Sequence, residues 1–261
     1  MTQRGARLGQ HFLNAQWVAR DLIGALNIQC DETVLEIGPG RGALTAKLLE
    51  SGARVVAIEK DAALVEHLRG MFHDAIAQGQ LTLIENDVRS IDPARLGLDT
   101  YVVAANIPYY ITGEILRQFL GTKLQPRRMA LLIQKEVAER VVARDGKESI
   151  LSLSVKAYGT PTVVAKVPAQ SFNPPPSVDS AILLIEDISR AAFETVDEKA
   201  FFEVVRAGFS SKRKLLANNL ASFGEARAAL AACGIEGNAR AEDVGLAQWV
   251  CLAQRLASVA R

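Results

Sequence analysis

The residues best suited to chemistry in this chain are Asn106-Ile107-Pro108-Tyr109, which follow an apolar run at 101–105. An Asn side-chain oxygen and a backbone carbonyl fixed by the following proline can accept hydrogen bonds from both hydrogens of a planar exocyclic amine. Such acceptors draw the nitrogen toward tetrahedral geometry, and the aromatic ring offers a flat surface on which a base can stack. These four residues are therefore typical of a site that transfers a group to an amine such as adenine N6.

A glycine-rich segment, Gly-Pro-Gly-Arg-Gly at 38–42, lies upstream between a β-branched run and leucines at helical spacing. This pattern predicts a strand, a tight turn and a helix, which is the context of a cofactor loop. The spacing differs from the dinucleotide fingerprint, and no Lys-Ser or Lys-Thr pair of a phosphate loop follows. We interpret Gly38 and Gly40 as binding positions for a cofactor without phosphates, S-adenosylmethionine.

Two acidic residues follow the next two predicted strands. Glu59 ends the run at 54–58, where the ribose diol of a nucleotide-like cofactor would be bound, and Asp87 follows the run at 81–84. Asp87 can accept a hydrogen bond from the exocyclic amine of the cofactor's adenine. The glycine turn, Glu59, Asp87 and Asn106 thus come after four successive strands, at the edge where open α/β sheets bind ligands.

Composition limits the class of protein. The 261 residues are 49% hydrophobic and 23% charged, and no apolar run reaches the roughly 20 residues that span a bilayer. Met1 to Gly9 lack the apolar segment of a secretory signal. The cysteines, Cys30, Cys233 and Cys251, show neither metal nor redox spacing, which predicts no metal site and a reducing cytoplasm. The cysteines also argue against a cytosine-C5 methylase, which needs a nucleophilic Cys beside a Pro, because the residue after Pro108 is Tyr109.

Charge is segregated although the net charge is only +1. Residues 31–119 carry 8 basic and 13 acidic groups, whereas 120–147 carry 7 and 3, and 200–261 carry 8 and 5. Basic stretches away from the cofactor half favour a nucleic-acid partner. The alternative is that these basic residues only lie on solvent-exposed faces of helices and bind nothing. Arg140 and Arg144 are the RNA-binding candidates in the first stretch.

Alternating strands and helices predict a mainly parallel, doubly wound α/β domain over residues 1–187. Its later strands are expected at 128–134, 163–167 and 181–185, and its later helices at 113–120, 136–144 and 149–157. Residues 188–261 form a small helical domain, with helices expected at 199–207, 212–221, 225–233 and 246–256.

Two further segments carry candidate contacts. The proline-rich stretch at 171–180 predicts a rigid, extended loop that fixes Phe172, either as a plug of the core or as the second face of an aromatic clamp around an extruded base. Lys212, Arg213 and Lys214 fall at a predicted helix start, where the macrodipole disfavours positive charge. Cations placed there favour a phosphate partner.

With these motifs in place, the chain resembles the rRNA adenine N6,N6-dimethyltransferases, specifically the small-subunit enzymes, through segments 8–13, 36–42, 106–109, 171–180 and 206–220. The resemblance implies a Rossmann-like class I S-adenosylmethionine-dependent methyltransferase sheet with a small C-terminal helical domain. It also implies dimethylation of two neighbouring adenosines near the 3′ end of 16S rRNA, within an assembling subunit, by a monomeric protein.

The same resemblance assigns cofactor contacts to a set of positions: His11, Leu13, Gly38, Glu59, Asp87 and Asn106. His11 stands where many relatives have Asn, and both side chains can donate a hydrogen bond. Ser211 stands where Gln is expected.

Three other functions remain open at this point. A large-subunit rRNA methylase of the antibiotic-resistance type shares the sheet and nearly the same tetrapeptide, but segments 173–180 and 212–220 favour the small-subunit enzyme. A DNA adenine methylase would need a larger recognition domain. A non-catalytic assembly or transcription factor would not need Asn106 and Tyr109 intact.

Overall fold

The computed structural model describes residues 11–29 and 32–257. Its strands are β1 (Phe12–Leu13), β2 (Thr33–Ile37), β3 (Arg54–Glu59), β4 (Leu81–Glu85), β5 (Tyr101–Asn106), β6 (Met129–Gln134), β7 (Thr160–Val167), β8 (Phe172–Asn173) and β9 (Ser180–Glu186). Its α-helices are α1 (Gln16–Leu26), α2 (Ala43–Glu50), α3 (Ala62–Met71), α4 (His73–Ala77), α5 (Thr112–Gly121), α6 (Lys135–Val141), α7 (Ile150–Lys156), α8 (Glu198–Gly208), α9 (Leu216–Asn219), α10 (Ala226–Ala232) and α11 (Leu246–Ala257).

The central sheet has seven strands in the order β4-β3-β2-β5-β6-β9-β7. The first five are parallel, with Ile37 aligned to Ile58 on one side and to Ala105 on the other. Strands β2 and β5 are buried along almost their whole length, because helices cover both faces of a parallel sheet. This confirms the predicted doubly wound α/β fold, including the four strands that end at the expected site.

The far side of the sheet turns antiparallel. β9 runs against β6, with Gln134 aligned to Ser180. A separate two-stranded ribbon pairs β1 with β8, so that Leu13 lies opposite Phe172. The stretch expected to be only a loop therefore begins with a short strand.

The core of the sheet domain forms where α1 and α2 pack on the strands. Helix α1 buries Val18, Ala19, Leu22 and Leu26, which recur at the spacing of one helical face. They join β-strand residues such as Val102 in one apolar cluster. This packing fixes the strands whose carboxyl ends carry the site.

The chain divides into two compact units. The first contains residues up to Ala138 together with Pro161–Ile188, and the second contains Glu139–Thr160 and the chain from Ser189. One change of unit falls at 188/189, close to the boundary expected at 187/188, and the segment 139–160 groups with the helical unit. It joins the helical unit because its backbone and side chains bond there, for example from Glu148 N to Glu242 O.

Two features of the helical unit differ from expectation. Cys233 and Cys251 form a disulfide, which their separation of 18 residues did not suggest, while Cys30 lies outside the described residues. The helix expected at 212–221 begins only at Leu216 and spans four residues. The unit is centred on Trp249, which is fully buried and stacks on Phe209 at 5.6 Å between ring centroids.

No helix within residues 11–29 and 32–257 is long and apolar enough to cross a membrane. The same described residues hold no cluster of His, Cys, Asp and Glu suited to a metal ion.

Candidate active site

A cavity opens where the carboxyl ends of β2, β3, β4 and β5 meet. Ten of the residues singled out from the sequence line it: His11, Leu13, Gly38, Gly40, Glu59, Asp87, Asn106, Ile107, Pro108 and Tyr109. They come from the first part of the chain and from four strand ends, so the fold gathers almost the whole expected site.

The glycine loop forms one wall of the cavity. Gly40 has a φ of +58°, and a Cβ added there would lie 3.2 Å from the Phe12 ring. The guanidinium of Arg41 lies 4.4 Å above the same ring. Gly42 has a φ of +83°, and a Cβ would lie 2.7 Å from Phe72. Glycine is required here because the left-handed backbone and the close aromatic rings both exclude a side chain.

Glu59 ends β3 with its carboxylate held by three backbone N–H groups. Gly40 N donates across 3.2 Å, Lys60 N across 2.9 Å and Asp61 N across 3.0 Å. A carboxylate has about four acceptor positions, so one remains for a hydroxyl in the cavity. Glu59 therefore joins the glycine loop to the end of β3 and can still bind a ligand.

Asp87 is already engaged by two cations. Arg89 donates to both carboxylate oxygens, at 3.0 and 2.7 Å, and Lys60 lies 3.4 Å away. The Arg89 guanidinium holds the pKa of the Asp87 carboxyl well below its usual range. Arg89 and Lys60 line the same cavity but were not predicted from the sequence, where their only signal is their position next to the acidic strand ends.

The side chain of Asn106 has a defined orientation. Its Nδ2 donates to the backbone carbonyl of His11 across 3.2 Å. Because a carbonyl oxygen can only accept a hydrogen bond, the atom bonded to it must be the amide nitrogen of Asn106. The amide oxygen, Oδ1, therefore faces the cavity. Among the described residues no group donates to that Oδ1 or to the carbonyl of Ile107. Two neighbouring acceptors are thus available beside Pro108.

Tyr109 lies in a single 3₁₀ turn, Tyr109–Ile111, and its ring is held at its outer end. The phenolic oxygen is 2.7 Å from Ser180 Oγ, and Thr112 donates to the Tyr109 carbonyl. Burial raises the pKa of the Tyr109 hydroxyl, so that group stays protonated at neutral pH. Tyr109 therefore provides a fixed aromatic surface and no proton acceptor.

Phe172 does not line the cavity. Its side chain is 4% exposed and belongs to the apolar cluster that includes Val18 and Leu184. Pairing with Leu13 in the ribbon of β1 and β8 turns the ring inward. The prediction of an aromatic clamp at Phe172 is thus wrong, and the alternative of a core plug describes its place in the structure.

The RNA-binding candidates lie in the helical unit. Lys212, Arg213 and Lys214 are exposed, and among the described residues none of them forms an ion pair. They occupy the turn before α9 and do not start a long helix, so the macrodipole reasoning fails for them. Arg144 pairs with Glu139, and Arg140 is exposed at the end of α6.

A buried carboxyl that was not predicted from the sequence, that of Glu36, lies next to the glycine loop. Glu36 is 1% exposed. Burial raises the pKa of Glu36 to about 8 and outweighs hydrogen bonding from the side chain and backbone of Thr45, which lowers it; the nearby Glu59 carboxylate acts in the same direction as burial. The only signal in the sequence was an acidic residue inside an apolar strand.

The fold and the site define the chain as a class I methyltransferase. The model of the ribosomal RNA adenine dimethylases matches residues 1–258, and the chain belongs to that family.

Individual proteins extend this comparison. The ribosomal RNA small subunit methyltransferase A of Dehalococcoides mccartyi (strain CBDB1) is 41% identical, over 94% of this chain and 86% of the relative. A dimethyladenosine transferase from Plasmodium falciparum superposes with a TM-score of 0.79 at 25% identity, over 96% of this chain and 98% of the other. The 23S rRNA methyltransferase ErmE gives a TM-score of 0.74 at 26% identity, over 94% and 99%.

Proposed function

We propose that the chain uses S-adenosylmethionine to dimethylate N6 of two adjacent adenosines near the 3′ end of small-subunit (16S) rRNA, during ribosome assembly. The observation that carries this proposal is the pair of free acceptors, Asn106 Oδ1 and the Ile107 carbonyl, beside a fixed tyrosine ring. The two hydrogens of a planar exocyclic amine can be donated to these two acceptors, and the base that carries the amine can stack on the tyrosine ring.

The residues around the glycine loop suit this cofactor. S-adenosylmethionine supplies a methyl group on a positively charged sulfur. We assign the ribose hydroxyls to the free acceptor position of Glu59. We assign the adenine amine to Asp87, where it would replace the 3.4 Å contact of Lys60, since Arg89 and Lys60 together occupy the four acceptor positions of that carboxylate. The segment of His11 and Leu13 covers the cavity from the side of β1. Gly38 and Gly40 leave the space that side chains would fill.

Asn106, Ile107 and Pro108 act on the acceptor amine. Hydrogen bonds from both N–H groups to Oδ1 and to the Ile107 carbonyl localise the nitrogen lone pair and direct it at the methyl group. Pro108 fixes the direction of that carbonyl because its ring restricts the backbone. The protein needs no covalent intermediate: its contribution is positioning and electrostatics.

The small subunit is favoured over the large subunit as substrate. The relative at 41% identity is named for small-subunit rRNA, whereas the large-subunit enzyme is only 26% identical. We assign the phosphate contacts to Lys212, Arg213 and Lys214, with Arg140 and Arg144 as secondary contacts. A monomeric, cytoplasmic enzyme fits this substrate.

Methyl transfer to three acceptors tests the proposal. Small subunits lacking dimethyladenosine, large subunits and adenine-containing DNA are each incubated with the protein and labelled S-adenosylmethionine. We expect label in the small subunits alone, and about a hundredfold less of it or lower with the Asn106→Ala protein. Label mainly in large subunits would favour the antibiotic-resistance type of enzyme, and no transfer to any acceptor would refute a catalytic role.

A further inference from the structure

We infer that Gln118 is a positioning residue for the cofactor: from helix α5 it holds the turn that follows Asp87 and thereby makes the cavity selective for an adenine base. This inference rests on the proposed function, which assigns the adenine amine of the cofactor to Asp87. Gln118 is not among the residues that line the cavity, so it acts on the cofactor only through the backbone of the turn.

The segment after β4 turns sharply behind Asp87. Residues Val88–Ser90 form a single 3₁₀ turn, and the Asp87 carboxylate accepts from Arg89 N across 3.0 Å. Ile91 N donates to the Val88 carbonyl across 3.1 Å. Because the hydrogen bonds of a 3₁₀ turn have poor geometry, such a turn needs support from outside to keep one conformation.

Gln118 supplies this support. Its Nε2 donates to the Val88 carbonyl across 2.8 Å and to the Ile91 carbonyl across 2.6 Å, one at each end of the turn. A glutamine amide has two N–H donors, so both of them are used here. The side chain is half-buried, and hydrogen bonds are stronger in such surroundings than in open water. Gln118 therefore fixes the turn to α5.

A weaker contact from the same helix acts on the same turn. Glu114 lies one helical turn before Gln118, and its carboxylate is 3.8 Å from Arg89 Nη1. Arg89 in turn donates to both carboxylate oxygens of Asp87. Both side chains of the Glu114–Arg89 pair are exposed, so solvent screens their attraction. The position of Asp87 is thus set from α5, mainly by Gln118.

The direction of the Asp87 carboxylate decides which base the cavity prefers. Adenine carries an exocyclic amine, which donates to a carboxylate, whereas hypoxanthine carries a carbonyl oxygen in the same place, which can only accept. A carboxylate held beside that position favours adenine, and one that can turn away discriminates less. Without Gln118 the turn loses its two bonds to α5, so the preference for adenine should fall.

Binding of two demethylated cofactors tests this preference without any methyl transfer. Calorimetry gives the dissociation constants of S-adenosylhomocysteine and its deaminated analogue, S-inosylhomocysteine, for wild type, Gln118→Met and Gln118→Asn. Methionine is about as long as glutamine but cannot donate, and asparagine keeps the amide on a shorter chain. The matched control is Gln80→Met, because Gln80 Nε2 donates to the Leu49 carbonyl across 3.0 Å at the opposite end of β4. Thermal unfolding checks that each variant is folded, and Gln118→Asn carries the test if Gln118→Met is not.

The decisive quantity is the ratio of the two dissociation constants. Wild type should bind S-adenosylhomocysteine about ten- to a hundredfold more tightly, the range that a hydrogen bond to a charged group provides. Gln118→Met should reduce this preference to about threefold or less, since its turn is no longer held, and Gln118→Asn should also reduce it. Gln80→Met should keep the wild-type preference.

The contrary outcomes separate the inference from the proposed function. An undiminished preference in the Gln118 variants, or an equal decrease in Gln80→Met, would overturn the inference and leave the proposed function standing. Equal wild-type affinity for the two compounds would contradict the assignment of the adenine amine to Asp87, and the inference with it. If wild type binds neither compound, the proposed cofactor itself is refuted.

Discussion

Asn106 and His11 are separated by 95 residues in the chain, yet Asn106 Nδ2 donates to the His11 backbone carbonyl across 3.2 Å. This single bond decides which atom of the amide faces the substrate. It also ties His11 to the end of β5, so that two parts of the site that are distant in sequence are held together.

Replacement of Asn106 should abolish most of the activity. Asn106→Ala removes one of the two acceptors, and loss of one preorganised hydrogen-bonding group costs about a hundredfold or more in turnover. Cofactor affinity should fall much less, which calorimetry can measure. The control is Asn238→Ala, an exposed asparagine of the helical unit. Turnover near the wild-type rate in Asn106→Ala would falsify the assignment.

Glu59 should act on the cofactor. In Glu59→Gln the charge is lost and one end of the side chain can no longer accept from a backbone N–H, so the dissociation constant of S-adenosylmethionine should rise. A charge-assisted bond contributes roughly 1.5–3 kcal/mol, which corresponds to about ten- to a hundredfold in affinity. The matched control is Glu85→Gln, at the exposed end of β4. Wild-type cofactor affinity in Glu59→Gln would contradict the assignment of Glu59 to the ribose hydroxyls.

The three cations before α9 should govern RNA affinity. Neutralising Lys212, Arg213 and Lys214 together removes up to three phosphate contacts, so the slope of log affinity against log salt should decrease by about two to three units. Cofactor affinity should not change. A control protein with Arg20, Arg69 and Arg95 neutralised, all of them paired with acidic neighbours, should keep the slope. If both proteins show the wild-type slope, Lys212, Arg213 and Lys214 are only solvent-exposed and do not contact RNA phosphates.

Gly208 should be essential for packing of the helical unit. A Cβ there would lie 2.3 Å from the Trp249 ring and 2.9 Å from Leu216, so Gly208→Ala should lower the free energy of unfolding by about 1–3 kcal/mol. The comparison is Gly70→Ala in α3, where a Cβ meets nothing within 4 Å and should stabilise by roughly 0.5–1 kcal/mol. Thermal unfolding of both variants measures the difference, and equal Tm values would contradict the close packing.

Glu36 should make stability depend on pH. Its pKa is raised from 4.5 to about 8, so between these values the folded protein retains a proton that the unfolded chain has released. The free energy of unfolding therefore falls as pH rises through this window. Glu36→Gln cannot ionise, so its Tm relative to wild type should increase from pH 5 to pH 9. A Tm difference that is the same at each pH would show that Glu36 is ionised in the folded state.

The sequence predicted the sheet, the order of its strands along the chain and ten of the cavity residues, because strand ends and glycine turns are local patterns. Contacts between distant segments were not predictable in this way. The inward turn of Phe172 depends on its pairing with Leu13, and the ion pair of Arg89 with Asp87 depends on side-chain geometry. The disulfide and the assignment of 139–160 to the helical unit likewise depend on tertiary packing.

The most direct test of the central claim is the mass of the nucleosides in the 3′-terminal fragment of small-subunit rRNA after reaction with the purified protein. The fragment comes from subunits that lack the modification, and S-adenosylmethionine is the methyl donor. We expect N6,N6-dimethyladenosine at two adjacent positions, and a largely unmodified fragment after the same reaction time with Asn106→Ala. An unmodified fragment with wild type, or methyl groups only on other nucleosides, would contradict the proposed function.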